Sequence, residues 1–488
     1  MRFPTQFVSS LIALLAAPLP VSAQDEAIVD ILADILSAED SRQFDVQTLR
    51  AGSTHPDPIV RRHAALALGR LGDRRGTALV LRLVADPDTT VHLDALFALG
   101  LIGDSSTAVI AALRPLVLGR ANADPDKRRE AITAAAKIQS RRSRELLNEL
   151  FDGPLPTTGP SIRAFAHAAS EMWRLASSAP TPALNRFANS GIPEIRKGAI
   201  FALFRLRSGS AAGIFLGALG DADAEIRGWG ARVLTEDFVG RAGLDRGAVA
   251  EQLETLLSDR DAGVRVHALR TIATYADPRL APEVMERLTD RHAGVVTTAL
   301  TTLAALNAPG ATEAFLDFVD RGRIAFREPA LLGLVSSDRP TAIRKAAGWI
   351  QSQDWVLRVG GVRALAALAG DTAVAWLVDL TKDTDVRVAS AALAALGTAD
   401  SGRARAVARE QLYHPDVGVR AQAVSILGRD LSDSDAALFI DAYATAARDG
   451  DGDVRLAIIR ALGRASATHS SIAVDFFERY PSRVHYLA

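Results

Sequence analysis

The chain has 488 residues, 48% of them hydrophobic and 23% charged, with a net charge of −1. That is enough apolar material for several domains or one long repeat array, and it excludes global disorder. The neutral balance argues against a nucleic-acid binder, which would carry a basic excess; the absence of Cys excludes disulfides, thiolate metal sites, Cys nucleophiles and lipid anchoring through an N-terminal Cys.

In chain order, residues 1–23 have the composition of a cleavable signal peptide. Arg2 gives a short positive start, Phe7 to Ala17 an apolar run, Pro18 and Pro20 a break, and Val21-Ser22-Ala23 a small-x-small cleavage site before Gln24. The run is too short to span a bilayer comfortably, and no later stretch reaches the necessary length. The expected mature protein is therefore periplasmic or secreted, with no membrane span or lipid anchor. Residues 24–54 follow as an N-terminal helical cap, with Ile28, Ile31, Leu32 and Ile35 as its inward stripe.

From residue 55 to 470 one phrase recurs. Its first copy runs Asp57-Pro58-Ile59-Val60-Arg61, then Ala64-Ala65-Leu66-Ala67-Leu68-Gly69, then Leu71-Gly72-Asp73. Asp57 can accept the free N–H groups of a helix start, and Pro58 suits the first helical turn. Val60, Ala64, Leu68 and Leu71 share one helical face. Gly69 and Gly72 are expected to turn the chain into a second helix near residues 78–84. Taking the residue before the Arg as the ruler, further copies fall at Val91, Lys127, Ile162, Ile195, Ile226, Val264, Val295, Phe326, Leu357, Val386, Val419 and Val454. Steps of 29 to 38 residues in an alternation of helix and tight turn predict an all-α solenoid of about thirteen helical hairpins, whose units bury their apolar faces only by stacking.

The phrase resembles the HEAT-like repeats of phycobilisome-lyase-type proteins and related arrays. The matching residues are Asp57 to Asp73, with Asp383-Val386-Arg387, Asp416-Val419-Arg420 and Asp451-Val454-Arg455. The resemblance implies the fold and leaves function open. Three units, at Lys127, Ile162 and Ile195, lack the glycine turn. Residues 152–160 read as a loop, and 235–247 as an irregular stretch.

Arginines recur at Arg61, Arg128, Arg163, Arg196, Arg227, Arg265, Arg327, Arg358, Arg387, Arg420 and Arg455. Aspartates stand four residues before many of them: Asp57, Asp124, Asp223, Asp261, Asp354, Asp383, Asp416 and Asp451. A neutralised column of this kind is expected to be a ladder in which each Arg bonds cap aspartates of its own or the adjacent unit, with His92 in place of one Arg. The nine histidines form neither the His-Glu pairs of HEAT-repeat deoxyhypusine hydroxylases nor a His-Glu-x-x-His motif, so no metal site is expected. Asp449 to Asp453 lacks the Gly and Glu of a calcium loop and reads as a turn. No nucleophile elbow or phosphate loop is present. Trp349 and Trp355, beside a turn, are the tryptophans most expected to be exposed.

These readings lead to a non-catalytic extracytoplasmic scaffold that binds a protein or peptide on its concave face, with no cofactor and no nucleic acid. Two alternatives stand beside it. One is the substrate-binding arm of a larger exported enzyme, since exported arrays of this look can precede a cyclophilin-type peptidyl-prolyl isomerase domain. The other is a phycobilin-lyase-like enzyme. Residues 471–488 read as the start of an incomplete unit, covered by a further domain or subunit because Phe476, Phe477, Tyr480, Tyr486 and Leu487 crowd the end.

Overall fold

A computed structural model describes residues 23–119, 124–153, 155–308, 310–449 and 451–466, with Ser471, Val474 and Phe476 beyond them. The proposed leader and most of residues 467–488 lie outside the described residues. Those described are helical, with no strand among them. No helix among them is long and apolar enough to cross a membrane.

By internal contacts the chain divides into two compact units: residues 1–234 with 241–244, and residues 235–240 with 245–488. Each is built from helical hairpins whose first helix is usually the longer; in the hairpin of Val417–Leu427 the second helix, Asp433–Asp449, is the longer. Thirteen first helices follow the thirteen copies, from Pro58–Leu71 and Thr89–Ile102 to Val417–Leu427 and Gly452–Ser466. Second helices are often only six or seven residues long, such as Thr77–Leu83 and Ala281–Glu286, and are extended by 3₁₀ turns. Ala23–Asp40 and Val46–Ser53 form a further hairpin stacked on Pro58–Leu71. Within its first helix Ile35 and Ala38 are buried, while Ile28, Ile31 and Leu32 are half-buried.

Core formation follows the phrase. Val60, Ala64, Ala65, Leu68, Val91, Ala95, Leu96 and Leu99 are all fully buried, as are their counterparts Val264, Ala268 and Leu269. The small residues let neighbouring first helices approach. A Cβ on Gly69 would lie 2.8 Å from the Ala98 backbone, so Gly69 is a packing position inside its helix and not the turn residue expected. Gly72, at φ 67°, makes that turn alone.

Several local expectations change. The units at Lys127 and Ile195 keep the left-handed turn without glycine, on Gln139 (φ 52°) and Arg207 (φ 49°). Pro160 is not in a loop but in the first turn of Gly159–Glu171. The stretch 235–247 contains a further helix, Glu236–Ala242. At the end of the array Phe476 is buried and meets the Tyr443 ring edge-on, with centroids 5.1 Å apart.

The register is also corrected at one unit. Val386 is 39% exposed whereas Val388 is fully buried, so Val388 is the counterpart of Val60. The cap of Val386–Ala399 is Asp385, not Asp383. Measured through Val388, the steps from Leu357 and on to Val419 are both 31 residues.

Candidate binding surface

The Arg column is a ladder, but except at Arg420–Asp451, where Asp451 directly precedes Gly452–Ser466, its acid is not the helix cap. Arg61 binds Asp86 through Nε (2.7 Å) and Nη2 (3.0 Å), while its Nη1 donates to the His55 and Pro56 carbonyls. The same rung joins Arg265 to Asp290 at 2.8 and 2.9 Å, and Arg358 to Asp383 at 2.9 and 3.0 Å. Arg196 reaches Asp221 at 2.9 Å, and Arg420 pairs with Asp451. In the first four rungs the acid lies 25 residues ahead, in the linker entering the next first helix.

That linker residue has a second task. Asp86, Asp221, Asp290 and Asp383 each accept the N–H two residues on, fixing the turn in front of the cap. His55 and His414 do the same through Nδ1, and Ser190 and Ser352 through Oγ. The true caps, such as Asp57, Asp88, Asp223, Asp261, Asp354, Asp385 and Asp416, bond their own helix N-termini. Arg387 pairs bidentately with Asp385 and is no ladder residue. The Arg61 hydrogen bond holds the Asp86 carboxyl below its ordinary pKa. At Asp290 burial works upward, but the bonds from Arg265 and the His292 N–H outweigh it.

The first unit holds a polar patch on its first-helix ridge. Glu130 is half-buried; burial raises its pKa, and its Oε1 has no hydrogen-bond partner among the described residues. Burial lowers His167, whose Nε2 lies 2.8 Å from Thr133 Oγ1. Beside them, Glu171 pairs with Arg174 at 2.5 Å, and Trp173 lies between the Arg174 and Arg205 guanidinium groups at 4.6 and 4.1 Å. Among the described residues no His, Asp and Glu side chains gather as metal ligands.

The second unit carries a different surface. The first residues of the thirteen first helices are Pro58, Thr89, Pro125, Gly159, Pro193, Ala224, Ala262, Ala293, Ile324, Trp355, Val386, Val417 and Gly452. Small or helix-starting residues thus give way, in four consecutive units, to large apolar ones. These are 47%, 37%, 39% and 40% exposed, in chain order. Their spacing is 31 residues throughout, so they form one column along the edge where first helices begin. Val356, 38% exposed, widens it. Trp355 is braced by the Arg387 guanidinium, 3.6 Å over its ring.

A hollow of about 140 Å³ opens in this column, lined by Ile324, Ala325, Arg327, Glu328, Trp349, Val356 and Leu357. Half-buried Trp349 packs against Gly360, where a Cβ would come within 2.9 Å of its ring. Arg327 sits at a ladder position, but the residue 25 ahead is Ser352. Its Nε donates to the Gly322 carbonyl at 2.9 Å, and it forms no ion pair among the described residues. The helix Ile324–Ser337 has Arg323 at its cap, with no side-chain cap bond. The sequence reading singled out Trp355 and Trp349 but missed the column. Tabulating each unit three residues before the ladder position reveals it.

This is an all-α solenoid of stacked hairpins with an internal Arg–Asp ladder and one apolar edge. HEAT repeats match at residues 46–123 and 250–334, so these two stretches of the array are HEAT repeats. Its fold is similar to a crystal structure of a Kap121p mutant: TM-score 0.55, 12% identity, over 99% of this chain and 65% of that one. The karyopherin Kap121p bound to the extreme C-terminus of the protein phosphatase Cdc14p (TM-score 0.54, 12% identity, 95% and 62% coverage) is also similar. So is Kap121p bound to Pho4p, at TM-score 0.54, 12% identity, and 95% and 61% coverage. The chain spans under two thirds of the length of these structures. No curated protein matches it in sequence.

Proposed function

We propose that the chain is a non-catalytic scaffold that binds a protein or peptide outside the cytoplasm. The observation that carries this reading is the apolar column Ile324, Trp355, Val386 and Val417. At the first position of a helix a large apolar side chain adds little to the helix, since that position favours Pro and polar residues. Covering each of these partly exposed side chains with a partner would return about 1 kcal/mol. Solved relatives in fold include Kap121p bound to the extreme C-terminus of Cdc14p and Kap121p bound to Pho4p, which agrees with a protein partner. Export rests on the Val21-Ser22-Ala23 cleavage pattern.

The experiment is chemical cross-linking of the full chain in its own cells, followed by mass spectrometry of linked peptides. A reproducible protein partner linked to the array, on material whose N-terminus is Gln24, is the expected result. A cytosolic chain that retains Met1 would overturn export, and a monomer with no linked partner would overturn the scaffold reading.

A further inference from the structure

From the charges around the apolar column we infer that its occupant is an extended acidic peptide segment with apolar side chains at about every third residue. The inference rests on the protein-binding reading and names the chemistry of the partner.

The first argument is geometric. Stacked helices lie roughly 8–10 Å apart. Extended chain rises about 3.3 Å per residue. Ile324, Trp355, Val386 and Val417 occupy the same helical position in four successive units, so an extended strand running along the edge meets one of them about every third residue. Ten or so residues would span the column. The hollow beside Ile324, walled by Trp349, Val356 and Leu357, takes the largest side chain.

The second argument is charge. Four first helices, starting at Thr89, Ala224, Ala262 and Val386, are preceded by two acids, a cap Asp and a linker Asp two residues before it. At Ile324–Ser337 both are missing. The cap position holds Arg323, exposed and without a side-chain cap bond. The rung of Arg327 ends on Ser352, and Arg327 lines the hollow with no ion pair among the described residues. One unit earlier, in the linker entering Ala293–Ala305, stand Arg291, exposed, and Asp290, whose charge Arg265 consumes. The column therefore begins at a place with unsatisfied helix N–H groups and two guanidinium groups available to a carboxylate. A basic residue would meet these charges directly, so the Ile324 end selects an acidic one, while the three later helix starts keep their cap carboxylates Asp354, Asp385 and Asp416.

The test is selection of a phage-displayed random dodecapeptide library on the full chain, followed by fluorescence polarisation of the enriched peptides. Two variants accompany it. Arg323→Asp installs the cap that most other units carry, and Ile324→Glu places a carboxylate at an exposed first helical position. Neither touches the core, and unchanged melting temperatures would verify that. Enriched peptides should carry Asp or Glu near one end and apolar residues three apart, and each variant should weaken them at least tenfold. The proposal is overturned if no peptide is enriched, if enriched peptides are basic, or if both variants bind them as the unaltered chain does. It is also overturned if sedimentation shows the chain pairing with itself through this edge, with Ile324→Glu abolishing the pairing. A cross-linked cellular partner held equally by both variants would remove this edge assignment while leaving the scaffold function intact.

Discussion

The ladder can be tested most sharply at Arg265–Asp290, where both side chains are under one tenth exposed. Asp290 accepts two bonds from Arg265 and one from the His292 N–H at 2.8 Å. Asp290→Ala would leave the guanidinium buried with the Asp259 carbonyl, 2.7 Å from Nη1, as its remaining acceptor among the described residues. Stranding a buried charge in this way costs about 3–5 kcal/mol. Removing the neighbouring cap Asp261, which accepts only the Val264 N–H, should cost about 1 kcal/mol. Leu300→Ala, at a fully buried core site, should cost about 2.7–5 kcal/mol. Urea unfolding would rank the three. Hydrogen exchange should localise the damage of Asp290→Ala to residues 259–305, because units in an array depend on their nearest neighbours. The double variant Arg265→Met with Asp290→Ala removes the stranded charge and should be no less stable than Asp290→Ala alone. The folded-state pKa of Asp290 is depressed, so its contribution is full at neutral pH and is lost as pH falls below the ordinary carboxylate value. If Asp290→Ala costs no more than Asp261→Ala, or the double variant is the worse, the rung does not hold units together as argued.

Three further outcomes are expected. Gly69→Ala should destabilise by about 1–3 kcal/mol through overpacking against Ala98, more than Gly72→Ala, whose cost is confined to a left-handed residue with open space around it; thermal melts of the two decide. Arg207→Gly relieves a non-glycine residue at φ 49° and should stabilise by about 0.5–1 kcal/mol in the same assay. Burial raises Glu130 and lowers His167, so the two change stability in opposite directions as pH falls. Stability from Glu130 is present below its unfolded pKa and is lost as pH rises through the folded value, so Glu130→Gln should raise the melting temperature at pH 7 and leave it unchanged in acid. Stability from His167 is present above the ordinary His pKa and is lost as pH falls toward its depressed folded value; His167→Gln should flatten that acid limb.

The hairpin architecture was legible because the core demands it. A period of about 31 residues, with Val, Ala and Leu on one helical face, has no other way to bury that face than stacking. The acids were harder to assign, because two aspartates two residues apart precede four of the first helices. In Asp86-Pro87-Asp88 and Asp383-Thr384-Asp385 the first carboxylate closes the rung and fixes the turn, while the second caps the helix. Arg387 made the ambiguity worse by placing a Val-Arg pair two residues early, where Val386 is surface and Val388 is core. Burial decides such a case, and constant spacing decides it from sequence alone, since only Val388 keeps 31 residues on both sides.

The same register explains why the apolar edge is hard to see in the sequence. Ladder arginines look alike in sequence, whether their rung is closed or open. What distinguishes Arg327 from Arg358 is the residue 25 positions on, Ser352 against Asp383. Ser352 still performs the turn task, accepting the Asp354 N–H at 3.1 Å, but cannot neutralise a guanidinium. A single Asp-to-Ser difference in a linker therefore leaves the fold intact and frees a positive charge, beside the first of four apolar helix starts. In an array whose every unit solves the same packing problem, function is to be sought where a unit omits a neutralising group its fold does not need.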